Sequence, residues 1–372
     1  MRDHRPRDRH HRHGGLHRRR PPRGREQSLY RRAQPAGCDV GVAAAATARR
    51  RRRFRGGCGV AVGRDAAHLP AAGWAAIRTH LDDPAQDLAL VFRSSPYGAI
   101  SHSHASNNDF FVHVAGKVMA MPSGYYDGYG SNHHTHWVWH TKSHNCVTLS
   151  GAPQIMRSYA SVEAVEHAFD DDRLIYFRGN ADASYADRAT ICRRHVIFLK
   201  RPQVFLLVDE FVTKPGIVSA LQWNLHSWNQ FEVDDEAHTF TIRRENSVLH
   251  GHFLYHHNAF FTVTEGWDPP PQSAKSNAQW YKQYNLRLTT SGLVDRRTLG
   301  VVLCPGHASL KPAAVRSERV DDVEFGYIDD IRVAVNQSTS MTIDGHQTDA
   351  LIVLTLDGAH YAVTADGIAQ TR

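Results

Sequence analysis

From His68 onward the chain is written almost entirely in short runs of Val, Ile, Leu, Phe and Thr broken by Gly, Pro, Asn and Asp. That texture restricts it to a β fold, because runs this short bury one or two faces of a pleated strand but not the stripe of a helix. Strands are predicted at Leu88–Phe92, Phe110–Ala115, Asn145–Leu149, Val196–Leu199, Val204–Val212 and Thr239–Ile242, then at Phe253–Tyr255, Leu299–Leu303, Ile331–Val335 and Ala350–Leu356. Arg194–Leu199 and Val204–Val212, joined through Lys200-Arg201-Pro202-Gln203, form a predicted hairpin. Ser161–Ala168 is the best short helical window, and the alternation of Trp137 and Trp139 suits a strand with one buried face. The expected fold class is all-β, with stacked antiparallel sheets in a β-sandwich.

The first 65 residues differ. Residues 1–55 hold 18 Arg against 4 acidic residues, so a net charge of +7 over the whole chain leaves the remainder at about −7. The basic pI is therefore no argument for nucleic acid as a partner. Arg, Gly, Ala and Pro without apolar periodicity cannot offset their ordering entropy, so residues 1–65 are expected to be disordered. So sharp a break in composition also suggests that the segment is not native coding sequence. The expected organisation is this segment, a β-sandwich domain over 66–300 and a smaller β unit over 301–372. No apolar stretch is long enough for a membrane span, and the N-terminus lacks the apolar core of an export signal. Cys38, Cys58, Cys146, Cys192 and Cys304 are too scattered for a disulfide framework. The last three sit in apolar runs and read as small buried hydrophobes.

Chemistry concentrates between Ser101 and Gly151. His102 and His104 stand at i and i+2, a spacing that puts both imidazoles on one face of a strand. Two convergent imidazoles can divide labour between proton transfer and metal ligation. His144 follows beside Asn145, ahead of the next apolar strand. Between them runs Ser123-Gly124-Tyr125-Tyr126-Asp127-Gly128-Tyr129-Gly130, a loop suited to tight turns and sugar contacts, with His133, His134, His136 and His140 crowded just after it.

The stretches SHSHASNNDF, AGKVMAMPSGYYDGYGSNHH and TKSHNCVTLSG, with Leu81-Asp82-Asp83-Pro84 and Val91–Gly98 ahead of them, resemble heparinase II/III-like polysaccharide lyases and oligoalginate lyases. The resemblance spans roughly 68–360. It implies an α/α toroid followed by antiparallel β-sheets, and β-elimination at a uronic acid in heparin-like, alginate-like or bacterial polysaccharides. The expectation is a β domain separated from its toroid, where further catalytic groups of the family lie. The resemblance implies His102 at the catalytic cleft and His104 with His144 at a structural zinc. Tyr125, Tyr126, Tyr129 and His134 are the expected substrate contacts. Where some relatives supply a third ligand from an Asp before Ser-Gly, this sequence has Pro122, and Asp127 or His133 on the adjoining loop are the substitutes. The implied partner is an acidic polysaccharide or oligosaccharide, without membrane insertion and with a homodimer as a compatible assembly. The implied location is periplasmic or secreted. Two other readings are a truncated, non-catalytic carbohydrate-binding β domain and a cupin-like metal-binding barrel. HxH invites the barrel, but the GYYDGYG loop has no place there.

Overall fold

A computed structural model describes residues 61–62, 65–95, 102–124, 127–156, 165–255, 258–272 and 282–371. Its architecture is a stack of antiparallel sheets. A six-stranded meander starts at Ala61–Val62 and runs through Ala66–Leu69, Trp74–Arg78, Leu88–Arg93, Asp109–Val114 and Lys117–Ala120. Ala61 and Val62 pair with His68 and Ala67, so ordered pairing begins slightly earlier than the composition suggested. The rest of the expected disordered segment, apart from Asp65, lies outside the described residues. An eight-stranded sheet takes, in spatial order, Phe231–Asp234, Thr239–Arg244, Ser247–Leu254, Arg296–His307, Val204–Thr213, Ala189–Leu199, Leu174–Asn180 and Val165–Asp170. A four-stranded sheet orders Ala259–Glu265, Tyr284–Thr290, Leu221–Ser227 and Val147–Leu149. The C-terminal sheet has six strands between Val315 and Thr371.

The eight-stranded sheet is covered on both faces, which explains why its central strands read as continuous rather than alternating apolar runs. Phe198, Phe205, Leu207, Val301 and Leu303 face the meander and the four-stranded sheet, meeting Phe92, Phe110, Trp223 and Leu288. Ile197, Leu199, Leu206, Val208 and Val302 face the other way, onto Val333, Val335, Leu354 and Val363 of the C-terminal sheet. Cys146, Cys192 and Cys304 are free and buried, as their apolar neighbourhoods indicated.

Three expectations need correction. The boundary placed at 300/301 falls inside Arg296–His307, a strand continuous in the large sheet, and the smaller sheet starts at Val315. The helix sought at Ser161–Ala168 is not formed where it is described: Val165–Asp170 is an edge strand paired with Leu174–Asn180, and 161–164 lie outside the described residues. Trp137 and Trp139 belong to no strand. His134–Val138 is a short π-helical turn with Trp139 at its end, and both indoles are buried because that turn packs inward.

Arg194 ties these layers together. Its side chain is fully buried between the large sheet and the segments that precede the meander's fifth strand and the four-stranded sheet. Nε and Nη2 donate to Asp209 Oδ1 and Oδ2 at 2.7 and 2.8 Å, across the hairpin predicted from the sequence. Nη1 donates to the carbonyls of Asn108 and Asn145 at 2.7 and 2.6 Å. The segment at Asn108 can come this close because residue 179 is glycine. A Cβ there would lie 2.3 Å from Asn108 Oδ1 and from the ring of Phe92. Asn108 itself has φ of +67°, a left-handed conformation that asparagine tolerates better than most residues.

Removing one member of a buried ion pair leaves the other charge uncompensated, which typically costs about 3–5 kcal/mol, whereas replacing both by apolar groups costs far less. Arg194→Met and Asp209→Leu are each expected to lower stability by that amount in urea titrations. The double substitution is expected to lose clearly less than the sum of the two.

Candidate functional site

The site grows from the two carbonyls that Arg194 holds. The residue after Asn108 is Asp109, fully buried at the start of its strand; those flanking Asn145 are His144 and Cys146. Asp109 Oδ1 accepts the backbone N–H of Asn145 at 3.0 Å, and Oδ2 lies 2.8 Å from His144 Nδ1. His144 Nε2 faces the Val138 carbonyl at 3.2 Å. Asn145 completes the knot: its Nδ2 donates to Phe110 O at 2.7 Å and its Oδ1 accepts from His226 N at 2.8 Å.

His102 and His104 do not share a strand face. Both lie in irregular backbone ahead of Asp109–Val114, His102 exposed and His104 part-buried. The His104 ring packs against that of His144 with centroids 5.1 Å apart. Burial drives its pKa down to about 3, with His144, Arg93 and His134 adding positive potential. His102 is exposed and stands 5.5 Å from the Tyr129 ring, centroid to centroid. Tyr129 is itself 59% exposed. Its ring rests 4.6 Å from His134 and meets the edge of Trp139 at 5.5 Å. His134 is buried, 4.5 Å from Trp139, and its Nδ1 accepts the Gly130 N–H at 3.0 Å. The Tyr129 loop is thus pinned from below while one aromatic face stays open. Tyr125 and Tyr126, expected on the same loop, lie outside the described residues.

The donors present do not fit a resident zinc. Among the described residues no group of three or more His, Cys, Asp or Glu side chains is placed to hold a metal. Structural zinc takes four ligands, and two imidazoles fall short. Both ring nitrogens of His144 already face oxygen acceptors. Asp127, the expected third ligand, accepts the Gly128 N–H on Oδ1 at 2.7 Å and the Gln272 N–H on Oδ2 at 3.1 Å, so it braces two loops. His133 is buried and places Nδ1 2.7 Å from the Pro269 carbonyl.

Several residues escaped the sequence reading. Asp109 gave no signal beyond an acid at a strand mouth. Trp139 was read as a strand residue, whereas it supports Tyr129. His140 was lost in its histidine-rich surroundings; its Nδ1 accepts the Lys142 N–H at 3.0 Å and so caps the 3₁₀ turn Thr141–Ser143.

Two further histidines are held neutral in the same way as His104. His140 is pushed down to about 4 by burial, with Lys142, His144, Arg287 and His136 acting in the same direction. His226 is pushed down to about 3, again chiefly by burial. Below the ordinary histidine pKa the unfolded chain takes up protons that the folded chain refuses, so stability is complete above about pH 6.5 and falls as pH drops. Each histidine then costs up to about 1.4 kcal/mol per pH unit. The urea midpoint is expected to be lower at about pH 5 than at about pH 7.5. His140→Asn, which keeps an acceptor at the cap, is expected to shrink that difference.

Comparison with known proteins follows the same outline. Heparan sulfate lyase HepC from Pedobacter heparinus superposes with a TM-score of 0.56 at 16% identity, covering 78% of this chain and 42% of its own. A heparinase III superposes with a TM-score of 0.58 at 17% identity, covering 73% of this chain and 42% of its own. At such identities the likeness is one of fold, and the chain spans about two-fifths of the length of those lyases. No curated protein matched. The family model described as Heparinase II/III-like, C-terminal, matches residues 61–316, and the chain belongs to that family.

Proposed function

We propose that this chain is the β-sheet portion of a polysaccharide lyase that cleaves uronate-containing glycans by β-elimination. The observation that carries this reading is the division between the two HxH histidines: His104 part-buried, packed on His144 and held neutral, His102 exposed beside an open aromatic face. In β-elimination the C5 proton leaves, the electron pair forms the C4–C5 double bond, and the C4–O bond breaks with protonation of the leaving oxygen. A base and an acid are needed, with neutralisation of the carboxylate so that C5 becomes acidic. His102 is assigned a proton-transfer role at C5 or the carboxylate, since its imidazole is open to a ligand. Tyr129 is assigned the sugar-ring platform, its aromatic face offering apolar area and its phenol a polar edge. No step is routed through a metal.

A second reading, glycan binding without turnover, is favoured by the exposed ring of Tyr129, which offers a sugar contact with or without chemistry. The two separate in one experiment. Absorbance of the unsaturated uronate product is followed on heparin, heparan sulfate, alginate and hyaluronan, with binding to the same glycans measured in parallel. The expected result is binding to at least one acidic glycan with little or no turnover by this chain alone. Tyr129→Ala is expected to weaken that binding about tenfold, or about 1.4 kcal/mol, while His102→Ala largely spares it. Rapid turnover unaffected by His102→Ala would remove His102 from the chemistry.

A further inference from the structure

The face of the four-stranded sheet turned away from the main core is polar. Along Leu221–Ser227 and Tyr284–Thr290, Trp223, Leu225, Leu286 and Leu288 point into the main core. The alternate residues therefore present Asn224, His226, Asn285 and Arg287 on the opposite face, with Asn224 paired to Arg287 and His226 to Asn285. Asn224 and His226 are fully buried and Asn285 nearly so. The turn carrying Trp137 covers them, its indole standing edge-on to the His226 ring at 6.1 Å. Each polar group there has a partner: His226 Nε2 lies 3.0 Å from Asn285 Nδ2, and Asn224 Nδ2 donates to Cys146 O at 3.0 Å.

Arg287 stands half-buried at the edge of this cover. Nε donates to Asn224 Oδ1 at 3.0 Å, and among the described residues the guanidinium forms no ion pair. Lys142 approaches from the 3₁₀ turn above, its ammonium 5.5 Å from the centre of the Trp137 ring. Its described ion pair is a long one, 4.0 Å to Asp268, whose side chain is 94% exposed. The two cations feel each other: burial lowers the pKa of Lys142, Asp268 opposes this, and Arg287 lowers it further. Nearby His140 stays neutral and leaves the positive charge to these two side chains.

Partly buried cations are ordinarily compensated by carboxylates, because desolvation of an unpaired charge is costly. We propose that Arg287 and Lys142 form a subsite for an anionic substituent of the glycan, a uronate carboxylate or a sulfate ester. This rests on the acidic-glycan reading above and extends it to a place in the fold. A guanidinium presents a planar fork to either oxyanion, and the ammonium adds a second charge. The turn that seats Trp139 beneath Tyr129 continues directly into Lys142, so one short segment supports the ring platform and supplies one cation of the subsite.

The test is calorimetric binding by the 372-residue chain to heparin oligosaccharides, desulfated heparin oligosaccharides, alginate oligosaccharides and a neutral glycan, each at several salt concentrations. Arg287→Gln and Lys142→Gln are expected to weaken acidic-glycan binding about tenfold each and to flatten its salt dependence. Arg287→Lys and Lys142→Arg, which keep the charge, are expected to restore much of it. Loss confined to sulfated ligands assigns the subsite to sulfate; loss on unsulfated uronates as well assigns it to carboxylate. If the wild type binds acidic glycans and the folded Gln variants bind equally well with an unchanged salt slope, the subsite is overturned while the acidic-glycan reading stands. If the wild type binds no acidic glycan, that reading and the subsite fall together. An effect on melting temperature with no change in affinity would identify Arg287 as a structural brace and overturn the proposal.

Discussion

A guanidinium with no access to water must find oxygen partners at fixed angles, and Arg194 finds four of them. Two belong to Asp209 on the neighbouring strand of its own hairpin, and two are backbone carbonyls of loops outside the hairpin. The carboxylate makes the buried charge tolerable, and the carbonyls turn it into a clamp. The planar fork cannot follow a loop that drifts, so Asn108 and Asn145 are fixed relative to one sheet and hence to one another. Their chain neighbours Asp109 and His144 are thereby delivered to hydrogen-bonding distance. A lysine at position 194 would supply charge but not this geometry.

The clamp creates a dry interior and a wet rim. Inside, Asp109, His144, Asn145 and His226 exchange hydrogen bonds in a closed network, and burial keeps His104 and His226 from taking protons. At the rim, the same loops expose His102 and Tyr129, while Lys142 and Arg287 retain positive charge. In the proposed lyase reading, the interior groups set positions and the rim groups are the ones open to a glycan. The side chains of His144 and Asp127, expected at a zinc, are engaged in hydrogen bonds to the protein that brace the surrounding loops.

The large sheet supports this from behind. Covered on both faces, it is a rigid slab rather than one wall of a sandwich, and the C-terminal sheet contributes rigidity by sealing the far side. Close packing extends to the backbone, where Gly179 lets Phe92 and the Asn108 loop lie directly against the slab.

Fold class was legible in the residues because strand periodicity and turn chemistry are local. The apolar run Val204–Val212, its partner before Lys200 and the Gly, Asn and Asp breaks elsewhere placed strands to within a few residues. The His and Tyr cluster was legible as a cluster for the same reason, as was the burial of Cys146, Cys192 and Cys304. What each histidine does was not. Spacing at i and i+2 means a shared face only on a strand, and the segment at His102–His104 is a loop whose course is fixed by contacts from distant strands. The acid that meets His144, the indole beneath Tyr129 and the cation beside Lys142 come from separate elements of the chain. Local sequence determined which pieces exist; the tertiary clamp at Arg194, and the desolvation that accompanies it, decided which side chains meet and which are left facing water.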